Sequence, residues 1–165
     1  MSDHRASVGW TRTGPEFIRG RYSREHTWTF DGGLVVAASA SPAVVPVPLS
    51  NPANVDPEEA FVAAVSSCHM LTYLFLASTS GFIVDTYEDR AVGTMTTNEL
   101  GIPWMSEITL TPRITYGGDR LPTPNDERRL HHRAHEQCYI SNSIKTAVSV
   151  KFLDEDASPP TKASL

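Results

Sequence analysis

The chain has 165 residues, of which 40% are hydrophobic and 20% are charged, and its formal net charge is −5. This length and composition predict one soluble globular domain over residues 1–165, and the negative charge argues against a nucleic-acid-binding surface. The two cysteines, Cys68 and Cys138, form neither a C-x-x-C motif nor a zinc quartet.

The N-terminal part predicts a strand hairpin. Residues 1–15 show no clear period and are expected to fray or to form an added edge segment. Residues 17–30 alternate like a strand, and Asp-Gly-Gly at 31–33 predicts a tight turn into a second strand over residues 34–39. A proline-rich connection over residues 40–55 then leads to the centre of the chain.

Arg24 and His26 share one face of the first predicted strand with three aromatic residues. If that face is buried, the guanidinium needs a carboxylate partner, which Glu58 or Glu59 could supply. If it is the exposed face of an edge strand, no partner is needed. The pattern alone leaves both alternatives open.

A long apolar helix is predicted over residues 56–80. Asp56 is suited to the N-cap, Pro57 to the first helical position, and Glu59 completes a capping-box pattern. Residues 60–77 are almost all apolar or small, so no wide solvent face remains. Such a helix is expected inside a domain or a dimer.

This helix is interrupted by four polar residues, Ser66, Ser67, His69 and Thr72. We therefore expect it to be buried in protein and not to span a membrane. The first ten residues lack the apolar core of a signal peptide, which favours a cytoplasmic protein. In that reducing compartment, two distant cysteines are more typical of redox-active or free thiols than of a structural disulfide.

Gly81 is a natural stop for the helix, and one strand is expected within residues 84–96 and another within residues 105–116. Pro112 suggests that the latter is an edge strand or contains a bulge. These two segments are the predicted strands that follow the central helix.

A second helix is expected to open at Thr123 and to place Cys138 on a narrow inward stripe. Residues 141–145 predict a short third helix, residues 148–152 a last strand, and residues 154–165 a polar tail. The order ββ-α-ββ-α-α-β predicts an α+β fold, with antiparallel strands packed on a long buried central helix.

Cys68 is the central candidate for chemistry. Burial in an apolar helix favours its neutral thiol, so a reactive thiolate needs a nearby positive charge; otherwise Cys68 is a small core hydrophobe. No arginine or lysine occurs between Arg24 and Arg90, which makes Arg24 the best source of that charge. Glu58 and Cys68 would lie about 15 Å apart along a straight helix. They can share a pocket only if the helix bends or two chains contribute, which favours a dimer.

Histidines offer two weaker candidates. His69 follows Cys68 but points about 100° away on a helix, so it is a poor general base for that thiol. His131, His132 and His135 contain an i, i+4 pair of the kind that binds metal. A solvated helix face explains them better, because no third ligand is evident.

Three stretches resemble the OsmC/Ohr family of osmotically inducible and organic hydroperoxide resistance proteins. Residues 54–68 resemble the family's N-P-E-x-L-x-A-A-x-x-A-C helix, which places its glutamate on Glu58 and its peroxide-reacting cysteine on Cys68. Residues 134–142 resemble its A-H-x-x-C-P-x-S-N segment and make Cys138 the resolving cysteine, with Tyr139 in place of the proline. Residues 22–33 resemble a subgroup of OsmC-like proteins.

The resemblance implies an intertwined homodimer in which sheets enclose two long central helices, with active sites at the interface. It also implies a thiol-dependent peroxidase, active without metal, haem or other cofactor, which reduces organic hydroperoxides to alcohols. Cys68 would become a sulfenic acid, Cys138 would condense with it to a disulfide, and an external dithiol, often lipoyl-type in the family, would reduce that disulfide.

In this scheme Arg24 would stabilise the thiolate and Glu58 would hold Arg24, with Arg21 as the alternative site arginine. Apolar neighbours would favour organic over hydrogen peroxide by desolvation; the candidates are Trp28, Phe61 and Leu71. Two other functions are weighed against this one. The first is a non-enzymatic protein that binds a small ligand or lipid in the same apolar interface pocket, and the second is a thiol-disulfide oxidoreductase.

Overall fold

The computed structural model describes residues 2–152, and within them the chain forms eight strands and two α-helices. The strands are β1 (Ala6–Gly9), β2 (His26–Phe30), β3 (Val35–Ala38), β4 (Ile83–Asp89), β5 (Val92–Thr97), β6 (Pro103–Leu110), β7 (Pro112–Gly117) and β8 (Ala147–Val150). The helices are α1 (Pro57–Thr79) and α2 (Pro124–Gln137). The α+β class predicted from the sequence is confirmed; the tail expected over residues 154–165 lies outside the described residues.

The chain packs as two compact units that divide between Phe61 and Val62, in the first turns of α1. The N-terminal unit contains β1, β2 and β3, and the C-terminal unit contains the other five strands and α2. A single domain over residues 1–165 stays a prediction.

The N-terminal unit is built on an antiparallel sheet of order β1-β2-β3. The predicted hairpin is confirmed: the Phe30 N–H donates to the Leu34 carbonyl at 3.0 Å, and Gly33 takes the left-handed φ of 85° that the turn requires. Within the segment expected to fray or to add an edge, β1 pairs with β2 along the register Ala6↔Phe30.

The strand predicted from residue 17 begins only at His26. Phe17–Arg19 is instead a 3-10 turn that ends at Gly20, whose φ of 74° stops any extended run. Of the aromatic residues in the predicted strand, Phe17 and Tyr22 lie outside β2 and pack on each other, with ring centroids 4.7 Å apart, and Trp10 contacts both rings.

Helix α1 begins as predicted. The Glu59 N–H donates to Asp56 Oδ1 at 2.7 Å, and the Asp56 N–H donates to Glu59 Oε2 at 3.3 Å, which completes the capping box. Gly81 follows the helix with a φ of 78°. These local signals place Cys68 at the middle of a helix of 23 residues.

By length and composition alone, α1 could cross a membrane, with a mean hydropathy of 1.7 over its most apolar window. Two of its polar side chains are nevertheless bonded to other elements of the C-terminal unit, as in the core helix of a folded domain. Ser66 donates to Asp89 of β4 at 2.5 Å, and His69 bonds to His131 of α2 at 3.0 Å.

The helix is not buried on all sides of the single chain. Its inner face packs in the core of the C-terminal unit, which comprises Tyr73, Leu76, Ala77, Phe82, Leu130 and Ala134. Leu71 and Phe75, at i and i+4, are 61% and 62% exposed. In the single chain an apolar strip of α1 is therefore left open, and the burial of this helix inside a domain or a dimer stays a prediction.

Each of the two segments predicted as one strand after α1 contains two strands. β4 pairs antiparallel with β7, whereas β5 pairs antiparallel with β6 in a separate sheet. The chain changes sheet where the Thr111 N–H donates to Asp89 Oδ1 at 2.7 Å and the Thr111 hydroxyl donates to the Arg90 carbonyl at 2.8 Å. Pro112 opens β7 and forms no bulge within a longer strand.

The last strand also differs from expectation. β8 ends at Val150 and runs parallel to β6, along the register Glu107↔Ala147, so the sheets are not wholly antiparallel. The segment between β6 and β8 contains β7 and α2. It is long enough to act as a crossover, which a parallel pair of strands requires. The third helix predicted over residues 141–145 is only the 3-10 turn Ser141–Ser143.

Candidate active site: two thiols on α1 and at the end of α2

Cys68 and Cys138 meet in the C-terminal unit, although 70 positions separate them. Cys68 lies at the middle of α1 and is partly exposed, whereas Cys138 is fully buried, and both are free thiols. The Cys138 side chain lies close enough to Cys68 to raise the pKa of the Cys68 thiol. The inward orientation predicted for Cys138 is confirmed, but Cys138 caps α2 at its C-terminus and is not one of its helical residues.

The surroundings favour the neutral form of Cys68. Burial raises the pKa of its thiol above the ordinary value, and the neighbouring Cys138 thiol raises it further. The backbone N–H groups of Ile140 and Tyr139 act in the opposite direction. Among the described residues no cationic side chain lowers this pKa, as the sequence argument anticipated for an apolar helix.

The turn after α2 holds Cys138 through its own backbone. The Ser141 N–H donates to Cys138 Sγ at 3.4 Å, and the Asn142 side chain donates to the carbonyls of Cys138 and Glu136 at 3.0 and 2.9 Å. Tyr139 is 83% exposed and supplies an N–H where the resembled motif has proline, which has none. The turn therefore presents N–H donors to both sulfurs.

A groove of about 640 Å³ lies beside the thiols in the C-terminal unit. It is lined by Leu71, Thr72 and Phe75 of α1 and by residues at the end of α2, among them Glu136 and Tyr139. The Thr72 hydroxyl donates to the Cys68 carbonyl at 2.9 Å, which fixes the helical turn between thiol and groove. Leu71, which was expected to be an apolar neighbour of the substrate, lines this groove, and its contact with a substrate stays a prediction.

Arg24 lies in the N-terminal unit, in the loop before β2. Its guanidinium donates to the carbonyls of Gly20, at 2.9 Å, and of Tyr22, and its central carbon lies 3.6 Å from the centre of the Tyr22 ring. It forms no ion pair within residues 2–152, so neither Glu58 nor Glu59 is its partner in the single chain. The Arg24–Glu58 pair stays a prediction.

The other residues expected around Arg24 have definite positions. Glu58 is in the first turn of α1, next to the Glu59 that caps it. Arg21 is exposed and lies 4.0 Å from Glu16. Trp28 donates its indole N–H to His26 Nε2 at 3.0 Å, and His26 Nδ1 in turn donates to the Arg24 carbonyl at 2.8 Å.

Sequence reasoning missed an aromatic pocket of about 490 Å³ in the N-terminal unit. Trp10, Phe17 and Tyr22 line it together with Arg24. The signal in the sequence was the clustering of aromatic residues before β2, and part of this cluster was interpreted as a strand.

The histidines of α2 are not simply a solvated face. His131 is 3% exposed and its Nδ1 lies 3.0 Å from Nε2 of the fully buried His69, so that expectation is wrong for His131. His132 does face solvent and lies 3.5 Å from Glu136. Within residues 2–152 no group of three histidine, cysteine or acidic side chains is arranged to hold a metal ion.

A family model described as OsmC-like protein matches residues 50–152 of the chain. An OsmC-like protein of unknown function from Vibrio cholerae is 48% identical and has a TM-score of 0.90, with 93% of this chain and 100% of that chain covered. No curated protein sequence matches the chain.

More distant structures share the fold. An organic hydroperoxide resistance protein from Elizabethkingia anophelis is 19% identical, with a TM-score of 0.67 and coverage of 92% of this chain and 94% of that chain. An organic hydroperoxide resistance protein OsmC from Legionella pneumophila is 16% identical, with a TM-score of 0.63 and coverage of 92% and 96%. At these identities the likeness concerns the fold alone.

Proposed function

The chain belongs to the OsmC-like protein family, and from this premise we propose that it is a thiol-dependent peroxidase that reduces organic hydroperoxides to alcohols in the cytoplasm. The observation that carries the proposal is that Cys138, 70 positions away in the sequence, lies close enough to Cys68 to raise the pKa of its thiol. Two neighbouring thiols, one partly exposed and one buried, are suited to the roles of attacking and resolving cysteine. Solved structures named as organic hydroperoxide resistance proteins share the fold.

The chemistry proceeds in three steps. The Cys68 thiolate attacks the terminal peroxide oxygen, the O–O bond breaks, and the alkoxide leaves with a proton as the alcohol, so that Cys68 becomes a sulfenic acid. The Cys138 sulfur then attacks the Cys68 sulfur and water leaves, which forms the disulfide. An external dithiol such as a lipoyl group reduces that disulfide by exchange and is itself oxidised.

A cation must assist the first step, because burial raises the pKa of Cys68 and no described side chain lowers it. We assign this role to Arg24, held by Glu58, in a homodimer. The guanidinium of Arg24 has no acidic partner within residues 2–152 and one of its nitrogens makes both of its hydrogen bonds, so other donors remain for an anion. The open apolar strip of Leu71 and Phe75 supports a second copy as the cover of α1.

The groove beside the thiols supports an organic substrate. Leu71 and Phe75 give it apolar walls next to the turn that carries Tyr139. An alkyl or aryl group buried there would be favoured by its removal from water, a gain that hydrogen peroxide cannot obtain.

The test is stopped-flow consumption of cumene hydroperoxide by the reduced protein, with mass spectrometry of the product. The wild type should consume one equivalent rapidly and form the Cys68–Cys138 disulfide. Cys68→Ser should lose the reaction, whereas Cys138→Ser should consume one equivalent and stop at a sulfenic acid that dimedone traps. Equal activity of Cys68→Ser and the wild type would refute the proposed peroxidase function.

A non-enzymatic binding protein is the second candidate, and the aromatic pocket of the N-terminal unit is the observation that favours it. That function predicts ligand uptake that is unchanged by Cys68→Ser and negligible peroxide consumption. The same stopped-flow experiment therefore separates the two functions.

A further inference from the structure

A second pocket in the C-terminal unit has a volume of about 250 Å³ and takes no part in the proposed peroxidase reaction. One wall is formed by a single face of α2. The other wall is formed by β8 and by Phe152, which follows it. The lining residues that matter here are Arg128, His131, His135, Val148, Val150 and Phe152. The pocket therefore has one basic and one apolar wall.

His131 is the most enclosed polar group of this pocket. It is only 3% exposed, its Nδ1 is bonded to His69, and its ring lies edge-on to Phe152 with centroids 5.5 Å apart. Its Nε2 has no hydrogen-bond partner within residues 2–152. Unlike the enclosed unpaired atoms of the chain, this nitrogen remains accessible to solvent. That nitrogen consequently faces the pocket.

The other nitrogens decide where the proton lies. His69 Nδ1 is enclosed and has no partner among the described residues. A buried N–H without an acceptor is rarer than a buried acceptor without a donor, so we assign the proton of His69 to Nε2, which donates to His131 Nδ1. The proton of neutral His131 then resides on Nε2, and the pocket gains an N–H donor.

Arg128 adds a charge to this donor. It forms no ion pair within residues 2–152, whereas its neighbour Arg129 lies 2.6 Å from Asp126. A guanidinium and an N–H donor disfavour a metal cation and favour an anion. The pocket volume equals that of roughly eight water molecules in the liquid. A ligand of this size is a small organic molecule.

We propose that this pocket binds a small carboxylate with an aromatic or branched hydrocarbon body. The carboxylate lies against the Arg128 guanidinium and the Nε2–H of His131. The hydrocarbon body packs on Val148, Val150 and Phe152.

The test uses the full chain and sodium benzoate as the probe, with binding measured by calorimetry and by the imidazole resonances of labelled histidine. Benzyl alcohol, which has nearly the same shape without the charge, tests the basic wall, and acetate tests the apolar wall. Arg128→Gln removes the charge at an exposed position, so the fold should be retained. Arg133→Gln is the matched control, since Arg133 is exposed on the same helix and does not line the pocket.

Benzoate should bind the wild type and Arg133→Gln equally, shift the His131 resonances, and bind Arg128→Gln about tenfold more weakly because a charge-assisted bond is lost. Benzyl alcohol and acetate should each bind much more weakly than benzoate. Absence of benzoate binding, equal binding by Arg128→Gln, or an equal loss in Arg133→Gln would each overturn the proposal. Retained binding in Cys68→Ser would show that the pocket works independently of the thiol.

Discussion

The Nε2 atom of His69 lies 3.0 Å from the Nδ1 atom of His131, and this bond joins α1 to α2 inside the C-terminal unit. Burial lowers the pKa of His69 to about 4 and that of His131 to about 3, and the two rings stack with centroids 5.3 Å apart. His135 lowers the pKa of His69 further, and Asp89 acts in the opposite direction.

Acid should therefore destabilise the protein well before its carboxylates titrate. Between about pH 6.5 and pH 4 the unfolded chain binds protons on both histidines and the folded chain does not, so the free energy of unfolding falls as the pH falls. The expected slope is about 1.4 kcal/mol per pH unit for each histidine. Urea unfolding followed by circular dichroism at several pH values measures it.

His131→Phe should remove about half of that slope, and His132→Gln, at an exposed position of the same helix, should leave it unchanged. A slope in His131→Phe as steep as in the wild type would show that other groups bind the protons.

Replacing Arg24 should slow the peroxide reaction without unfolding the protein. We expect Arg24→Gln to react with cumene hydroperoxide roughly 100-fold more slowly, the usual cost of one group that stabilises developing charge. Arg21→Gln is the matched control, because Arg21 is exposed and lies three positions away. Single-turnover stopped-flow kinetics compares them; the larger loss in Arg21→Gln would transfer the role to Arg21.

Charges on the open strip of α1 should prevent dimerisation. Leu71→Glu and Phe75→Glu each place a carboxylate where the proposed second copy covers an apolar surface, at a cost of several kcal/mol if it stays ionised there. Light scattering after size-exclusion chromatography should report a dimer for the wild type and a monomer for both variants. Ile18→Glu, at a residue 98% exposed, should remain dimeric; a wild-type monomer would contradict the assembly.

A buried chain of hydroxyls stabilises the C-terminal unit. Tyr73 and Tyr116 share a hydrogen bond of 2.5 Å, and Tyr116 donates to Glu127 Oε1 at 2.6 Å. Tyr116→Phe should lower the free energy of unfolding by about 2 kcal/mol, because it removes a partner from the buried Tyr73 hydroxyl and from the half-buried Glu127 carboxylate.

The contrast is Tyr87→Phe in the same cluster. The Tyr87 hydroxyl is enclosed without a partner among the described residues, so its removal should be neutral or stabilising. Thermal unfolding of both variants measures the difference, and equal losses would refute the role assigned to the Tyr116 bonds.

Local signals predicted the framework of the site. Asp56 and Glu59 are three residues apart, so their reciprocal bonds depend on adjacent sequence alone, and Gly81 stops α1 for a similarly local reason. The inward position of Cys138 followed from helical spacing, because the stripe that ends at Cys138 faces the core.

Features that depend on distant partners were not predictable in this way. β4 ends at an aspartate that receives the N–H of Thr111, 22 positions away, so no period in residues 84–96 could reveal the break. The burial of His131 depends on His69, which lies 62 positions earlier. Arg24 lies in a loop that is shaped by contacts among Trp10, Phe17 and Tyr22, and Trp10 lies outside the residues that were predicted as a strand.

The closeness of Cys68 and Cys138 also has a consequence for stability if the two thiols form the proposed disulfide. A disulfide at this place would cross-link α1 to the end of α2 and enclose β4 to β7 and α2 in one covalent loop. A loop of that length removes enough freedom from the unfolded chain to stabilise the folded one by about 4 kcal/mol. The oxidised protein would therefore melt at a higher temperature than the reduced protein. The melting temperature would then report whether the protein has reacted with peroxide since it was last reduced.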